Sequence, residues 1–357
     1  MSNADRNEQS NTQILVGVYH LRGGWSSLNT RSQNTLSQKL LPRAQFAEYD
    51  AASPAPRSAC TENTRKAILD TLRNWASDDT TTKLYWLNGM AGTGITTIAY
   101  SFSEILDEKN IFGGTFFSSH LRVDTSDARC IIPTVSLQLA RLFPSLPKLI
   151  LNAVDANSDC SSWRIGKQFL NFIVKPLTAA YRDIREVVVV PVVVLDALDE
   201  CSDQSLVAEL LSMTLKHNTS LPIRFFITSC PEIKLEESFH KSGAHSSFIL
   251  HEVEKEIGKG DIELYIKACL LEGQKKWLKT HDWPPQAEVE RLVNMSGTFF
   301  VYAATICKYI AQRGSSSMFE HLLDVVNFTS DTPFGITEPL DVLYKRILDV
   351  AYDNCKS

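Results

Sequence analysis

Residues Leu84–Leu106, LYWLNGMAGTGITTIAYSFSEIL, decide the fold. They predict a short apolar strand, a glycine-rich turn and then a helix, the local plan of a phosphate-binding loop. Gly89, Gly92 and Gly94 let backbone N–H groups curl inward around an anion, through conformations that a side chain forbids. The helix that follows adds free N-terminal donors and the positive end of its dipole. The pattern G-x-x-x-x-G-K-[ST] runs from Gly89 through Thr93 to Gly94 and requires lysine at position 95, where this chain has Ile95. Thr96 falls where the hydroxyl ligand to magnesium belongs, and Thr97 lies behind it.

Two further strand ends raise the specificity of that turn. VVVLDALDEC, 192–201, predicts a buried strand that runs into Asp196, Asp199 and Glu200. Carboxylates at the carboxyl end of a central strand sit where open α/β sheets bind ligands. In a nucleotide site the first would hold hydrated magnesium, and a later one would orient or deprotonate the attacking water. The bland alternative is a solvated helix start, where acidic residues are favoured by the dipole. IRFFITSCPE, 223–232, predicts another buried strand ending in Thr228, Ser229 and Cys230.

Around these ends the chain alternates. Strands are expected at Lys83–Leu87, Gly114–Ser118, Val192–Leu195, Ile223–Thr228 and Ser247–His251, with helices at Thr96–Asp107, Ile132–Phe143, Trp163–Arg182 and Ser205–Lys216. Strands joined by helical crossovers imply an α/β fold, a five-stranded, mainly parallel sheet with helices on both faces. Upstream, 30–41 predicts a short amphipathic helix. A linker with two prolines follows at 51–60, and then a helix capped by Thr61 that carries Ile68, Leu72 and Trp75 on one face. Beyond 252 the strand signals stop and successive helical patterns predict an all-α subdomain. The expected organisation is an extension over 1–58, a P-loop core over 59–252, a helical subdomain over 253–328 and the start of a winged-helix region over 329–357.

Composition is that of an ordinary globular chain: 357 residues, 44% hydrophobic, 22% charged and a formal charge of −5. No dense basic block points to nucleic acid, no apolar run is long enough to span a bilayer, and the N-terminus lacks a secretory layout. The eight cysteines are scattered without a CxxC pair or a zinc spacing, so free thiols in a reducing cytoplasm are expected.

LYWLNGMAGTGITT, TFFSSHLRVDTSDARCIIPTVSLQLA, VVVLDALDEC, FFITSCPE and GTFFVYAATICKYIA, in this order, resemble the NACHT-type P-loop NTPases abundant in mushroom-forming fungi. That family belongs to the signal-transduction (STAND) class and is often described as carrying nephrocystin 3-like N-terminal domains. The resemblance implies a switch that ADP holds closed and ATP opens, with ATP or ADP and magnesium as cofactors and with protein partners or self-association. It implies that Gly89, Gly92, Thr93, Gly94, Ile95, Thr96 and Thr97 line the phosphate loop, and that Thr96 and Asp196 hold magnesium. Asp199 and Glu200 then match the trailing acidic pair, with Thr228 and Ser229 in the sensor strand.

Two departures weigh against these matches. The family pattern GMAGTGK[ST] is broken by Ile95, and its TSRPE by Cys230. Both lost residues are cations that, in the family, face the β- and γ-phosphates. One charge-assisted hydrogen bond contributes about 1.5–3 kcal/mol. The expectation is a degenerate site with weak nucleotide binding and vestigial catalytic carboxylates. The alternatives are a slow working ATPase, in which Arg122, Arg129 or Arg224 substitutes, and a non-catalytic interaction or decoy module.

Overall fold

Val192–Asp196 and Arg224–Ser229 are buried along their whole length, as near-continuous apolar strands at the centre of a parallel sheet must be. In the computed structural model, five strands form one parallel sheet: β1 (Leu84–Asn88), β2 (Phe112–Phe117), β3 (Val192–Asp196), β4 (Arg224–Ser229) and β5 (Ile249–Glu252). Their order is β2-β3-β4-β1-β5, so β1 lies between β4 and β5 and its carboxyl end lies beside that of β4. The residues described are 27–39, 42–52, 57–78, 82–156, 162–183, 190–231, 248–253, 258–277, 283–297, 299–311, 322 and 344–345. The expected winged-helix start at 329–357 and most of the first thirty residues fall outside them, apart from 344–345 and the helical backbone from Ser27.

Helices are α1 (Ser27–Lys39), α2 (Lys66–Ser77), α3 (Ile95–Glu108), α4 (Ile131–Leu142), α5 (Leu146–Asp155), α6 (Ile165–Phe169), α7 (Lys175–Asp183) and α8 (Gln204–His217). They are followed by α9 (Lys259–Trp277), α10 (Gln286–Ser296) and α11 (Phe300–Ala311). A π-helical turn, Leu170–Val174, joins α6 to α7, so the helix expected over 163–182 forms with an irregular middle. The helix expected from Thr61 begins instead at Lys66. Asn63 and Arg65 adopt left-handed conformations, with φ of 69° and 57°, which a helix cannot contain.

By contacts the chain divides into two units. The first is Met1–Ala59, Leu69–Gly89 and Ile95–Glu252, and the second is Cys60–Ile68, Met90–Gly94 and Val253–Ser357. In the first, Leu36, Ala44 and Ala47 are buried, so the segment before the linker joins the core rather than lying outside it. The edge strand β2 is completed by a side chain. Gln138 of α4 accepts from the Thr115 amide at 2.9 Å and donates to the Thr115 carbonyl at 2.7 Å. Gly114, with φ of 143°, permits this approach, since a β-carbon there would stand 2.9 Å from Cβ of Gln138. These bonds satisfy edge groups that would otherwise invite another strand.

The second unit packs α9, α10 and α11 around Ile262, Ile266, Leu270, Val289, Leu292 and Ile306. Gly297, with φ of 56°, ends α10. Trp283 anchors the segment before α10 by donating its indole N–H to the Leu270 carbonyl at 3.1 Å. The aromatic group at 299–309 is core: Tyr302 and Tyr309 are buried, and Phe299 and Phe300 pack against the same cluster.

Candidate phosphate-binding site

Asp196 closes β3 as its last residue, and its carboxylate is fully buried. The Thr228 hydroxyl, from the end of β4, donates to Oδ1 at 2.5 Å. The same Thr228 oxygen accepts the Ala197 amide at 2.9 Å, where the chain leaves the strand through a left-handed turn with φ of 53°. Burial pushes the Asp196 carboxyl up to about 6. The hydroxyls of Thr228 and Thr96 and the charge of Arg57 oppose that rise, while Glu200 adds to it. Oδ2 makes no hydrogen bond among the described residues. A buried, half-satisfied carboxylate beside a threonine hydroxyl suits a hard, oxygen-seeking cation, so Thr96 and Asp196 fit the magnesium that the sequence pattern implies.

Thr228 therefore holds two polar groups in place. Thr228→Val should destabilise the fold by about 1–3 kcal/mol, because a buried amide loses its acceptor and a buried carboxylate its donor. Urea unfolding measures this, and an unchanged midpoint would show that the pair of bonds is redundant.

Asp199 and Glu200, the two residues expected to act on water, both have protein partners. Asp199 accepts the Cys230 amide at 3.0 Å, which fixes the chain just after β4. Glu200 accepts from the backbone of His120 at 3.0 Å and lies 2.8 Å from its Nδ1. Ser229 is also engaged, since its hydroxyl accepts the Trp86 indole N–H at 2.9 Å and its carbonyl accepts the Gly89 amide at 3.2 Å.

The glycine loop has the backbone shape that an anion cradle needs. Gly92 and Gly94 both have φ of 85°. Among the described residues, the amides of Ala91, Gly92 and Gly94 donate to no backbone carbonyl, whereas Thr93 bonds back to Met90. The outward groups of the loop tip are held within the second unit. The Gly92 carbonyl accepts the Val301 amide at 3.0 Å, and the Arg65 guanidinium donates to the Thr93 carbonyl while stacking 4.6 Å from the Phe300 ring centre. A β-carbon at Gly92 would stand 2.5 Å from Cγ1 of Val301. Gly92→Ala should thus cost about 1–3 kcal/mol in backbone strain and crowding, read as a lower denaturant midpoint. An unaltered midpoint would mean the loop does not require its left-handed turn.

The loop's own sequence supplies no cation, and the guanidinium beside it, Arg65, bonds to the Thr93 carbonyl. Gly89–Thr97 contains no lysine or arginine. Ile95 is the first residue of α3 and is 7% exposed, a buried apolar side chain. The three arginines considered as substitutes are engaged elsewhere. Arg122 pairs with Asp124 at 3.0 Å and Arg129 with Asp127 at 2.8 Å. Arg224 begins β4, five residues before its site-bearing end, and donates to the Asp78 carbonyl at 2.6 Å.

Sequence reasoning overlooked Arg57. Its guanidinium donates to the carbonyls of Phe46 and Glu48, at 3.2 Å each, and lies 4.5 Å from the centre of the Phe117 ring. Burial lowers its affinity for a proton, and the nearby Asp196 carboxylate partly restores it. Arg57 sits between two prolines and a cysteine in a linker without periodicity, so nothing local marked it.

No curated protein matches this chain. Among solved structures it is similar to the Walker-type ATPase PABY2304 of Pyrococcus abyssi, at 14% identity and a TM-score of 0.42, over 86% of this chain and 80% of that one. PCH-2 of C. elegans is similar at 10% identity and a TM-score of 0.42, over 74% of this chain and 68% of that one. AMPPCP-bound DnaA from Aquifex aeolicus is similar at 11% identity and a TM-score of 0.38, over 76% and 71%. Residues 63–230 match the family described as Nephrocystin 3, N-terminal. With a five-stranded parallel β2-β3-β4-β1-β5 sheet flanked by helices, a glycine turn following β1 in sequence and a carboxylate at the end of β3, the chain has an α/β P-loop NTPase fold.

Proposed function

We propose that this chain is a nucleotide-responsive module of the STAND type, with a phosphate site that keeps its backbone cradle and magnesium ligands but has lost its cations. It binds ADP or ATP weakly, hydrolyses ATP slowly or not at all, and works as a signalling or scaffold element through protein partners or self-association. The observation that carries this reading is Ile95: the position that should present an ammonium group to the β- and γ-phosphates holds a buried aliphatic side chain. Phosphoryl transfer depends chiefly on charge stabilisation and positioning, so its loss affects turnover more than folding. The partners already held by Asp199 and Glu200 support the same reading, since the Cys230 amide and His120 restrain the orientation that either carboxylate could present to a water.

Magnesium, when bound with nucleotide at Thr96 and Asp196, would supply the positive charge that the loop itself lacks. The extents proposed for the P-loop core and the helical subdomain, 59–252 and 253–328, follow from the sequence pattern.

Steady-state ATP turnover tests the catalytic half of the proposal. Wild type and Glu200→Gln are expected to give the same background rate. Turnover in wild type that vanishes in Glu200→Gln would overturn it in favour of a slow, working switch, the reading that Arg57 beside Asp196 would support.

A further inference from the structure

The helical unit contains a thiol pair that the phosphate site does not use. Cys269 lies on α9, four residues after Tyr265, and Cys307 lies on the facing helix α11. Both belong to one apolar cluster, with Cys307 buried and Cys269 at its partly exposed margin. The two thiols are hydrogen-bonded to each other, and the Tyr265 hydroxyl bonds to the Cys269 sulfur. The accessible sulfur therefore receives two donors, and the buried sulfur lies in contact with it.

We propose that Cys269 and Cys307 form a peroxide-responsive dithiol, with Cys269 as the attacking thiolate and Cys307 as the resolving thiol. The Cys269 sulfur attacks the distal oxygen of a hydroperoxide and the O–O bond breaks. The oxygen becomes the hydroxyl of a sulfenic acid, and the leaving alkoxide or hydroxide takes up a proton. The Cys307 sulfur then attacks the Cys269 sulfur. The S–O bond breaks, and the hydroxide leaves as water with the proton that Cys307 gives up. Two electrons pass from the two thiols to the peroxide, and the product is a disulfide joining α9 to α11.

The hydrogen bond from Cys307 lowers the proton affinity of the Cys269 thiol, against the opposing effect of partial burial, and so favours its thiolate. A thiolate of that kind, partly exposed and next to a second thiol, has the features of redox-sensing cysteines.

The test uses the reduced full-length chain, treated with hydrogen peroxide, alkylated and digested without reductant. The expected product is a cross-linked peptide pair containing Cys269 and Cys307, lighter by two hydrogens than the reduced pair. In Cys307→Ser, dimedone should capture a sulfenic acid at Cys269 faster than at the partly exposed Cys60 or Cys230. Complete alkylation of both thiols in oxidised wild type would overturn the proposal, whether or not the variant folds. So would equal dimedone labelling of Cys60, Cys230 and Cys269.

Discussion

Asp196→Asn should stabilise the ligand-free protein at neutral pH by about 3 kcal/mol, the free-energy equivalent of a carboxyl raised from 3.8 to about 6. The native state holds this proton up to about 6, whereas the unfolded chain releases it near the ordinary carboxylate value. Between those limits the native state binds more protons, so wild-type stability falls as pH rises through that window. Above it the full cost of a buried anion is present, and below it wild type and variant should converge. Urea titrations of both proteins at pH 3.5, 5 and 7.5 would read the divergence directly. Parallel curves at all three would mean that Asp196 is compensated in the folded state by Arg57 and the two threonine hydroxyls. A group left strained in the empty protein is what a cation site requires, because the cation relieves the strain on binding.

The second large effect is expected at Ile95. Ile95→Lys should tighten binding of magnesium–ADP by roughly ten- to a hundredfold, the equivalent of one recovered charge-assisted hydrogen bond. The same change removes a buried aliphatic side chain, so the ligand-free variant should lose about 1.5–3 kcal/mol of stability. The two effects have opposite signs, which separates a repaired phosphate site from a general stabilisation. A variant that loses stability and gains no affinity would indicate that the loop amides do not form a usable cradle.

Much of the architecture was legible because buried parallel strands are continuous apolar runs, and VVVL and RFFIT permit little else. Ends were harder to place. Asp196 belongs to β3 itself, one residue beyond the expected strand, because its backbone still pairs with Phe117 of β2. The start of α2 was misplaced because Thr61 looks like a cap, while the left-handed turns at Asn63 and Arg65 leave no local pattern. α5 was not anticipated, although Leu146, Ile150 and Val154 recur at helical spacing and are all buried.

At the site, the glycines, Thr96, Asp196 and the strand-end residues could be read from spacing. The partners that constrain them could not. Arg65 and Gln138 act through hydrogen bonds to residues more than 20 positions distant and Arg57 through the charge of the far-off Asp196, and each is a polar residue in a segment whose local pattern says only linker or helix. His120 holds Glu200 from 80 residues away, and Thr228 holds Asp196 from 32. Such pairings exist only once the strand ends converge.

The central claim is that a phosphate cradle persists here without its cation. It is tested most directly by calorimetric titration of magnesium–ADP into wild type beside Ile95→Lys. Weak binding to wild type and clearly tighter binding to the variant is the predicted result. Submicromolar binding to wild type, unimproved in the variant, would contradict it.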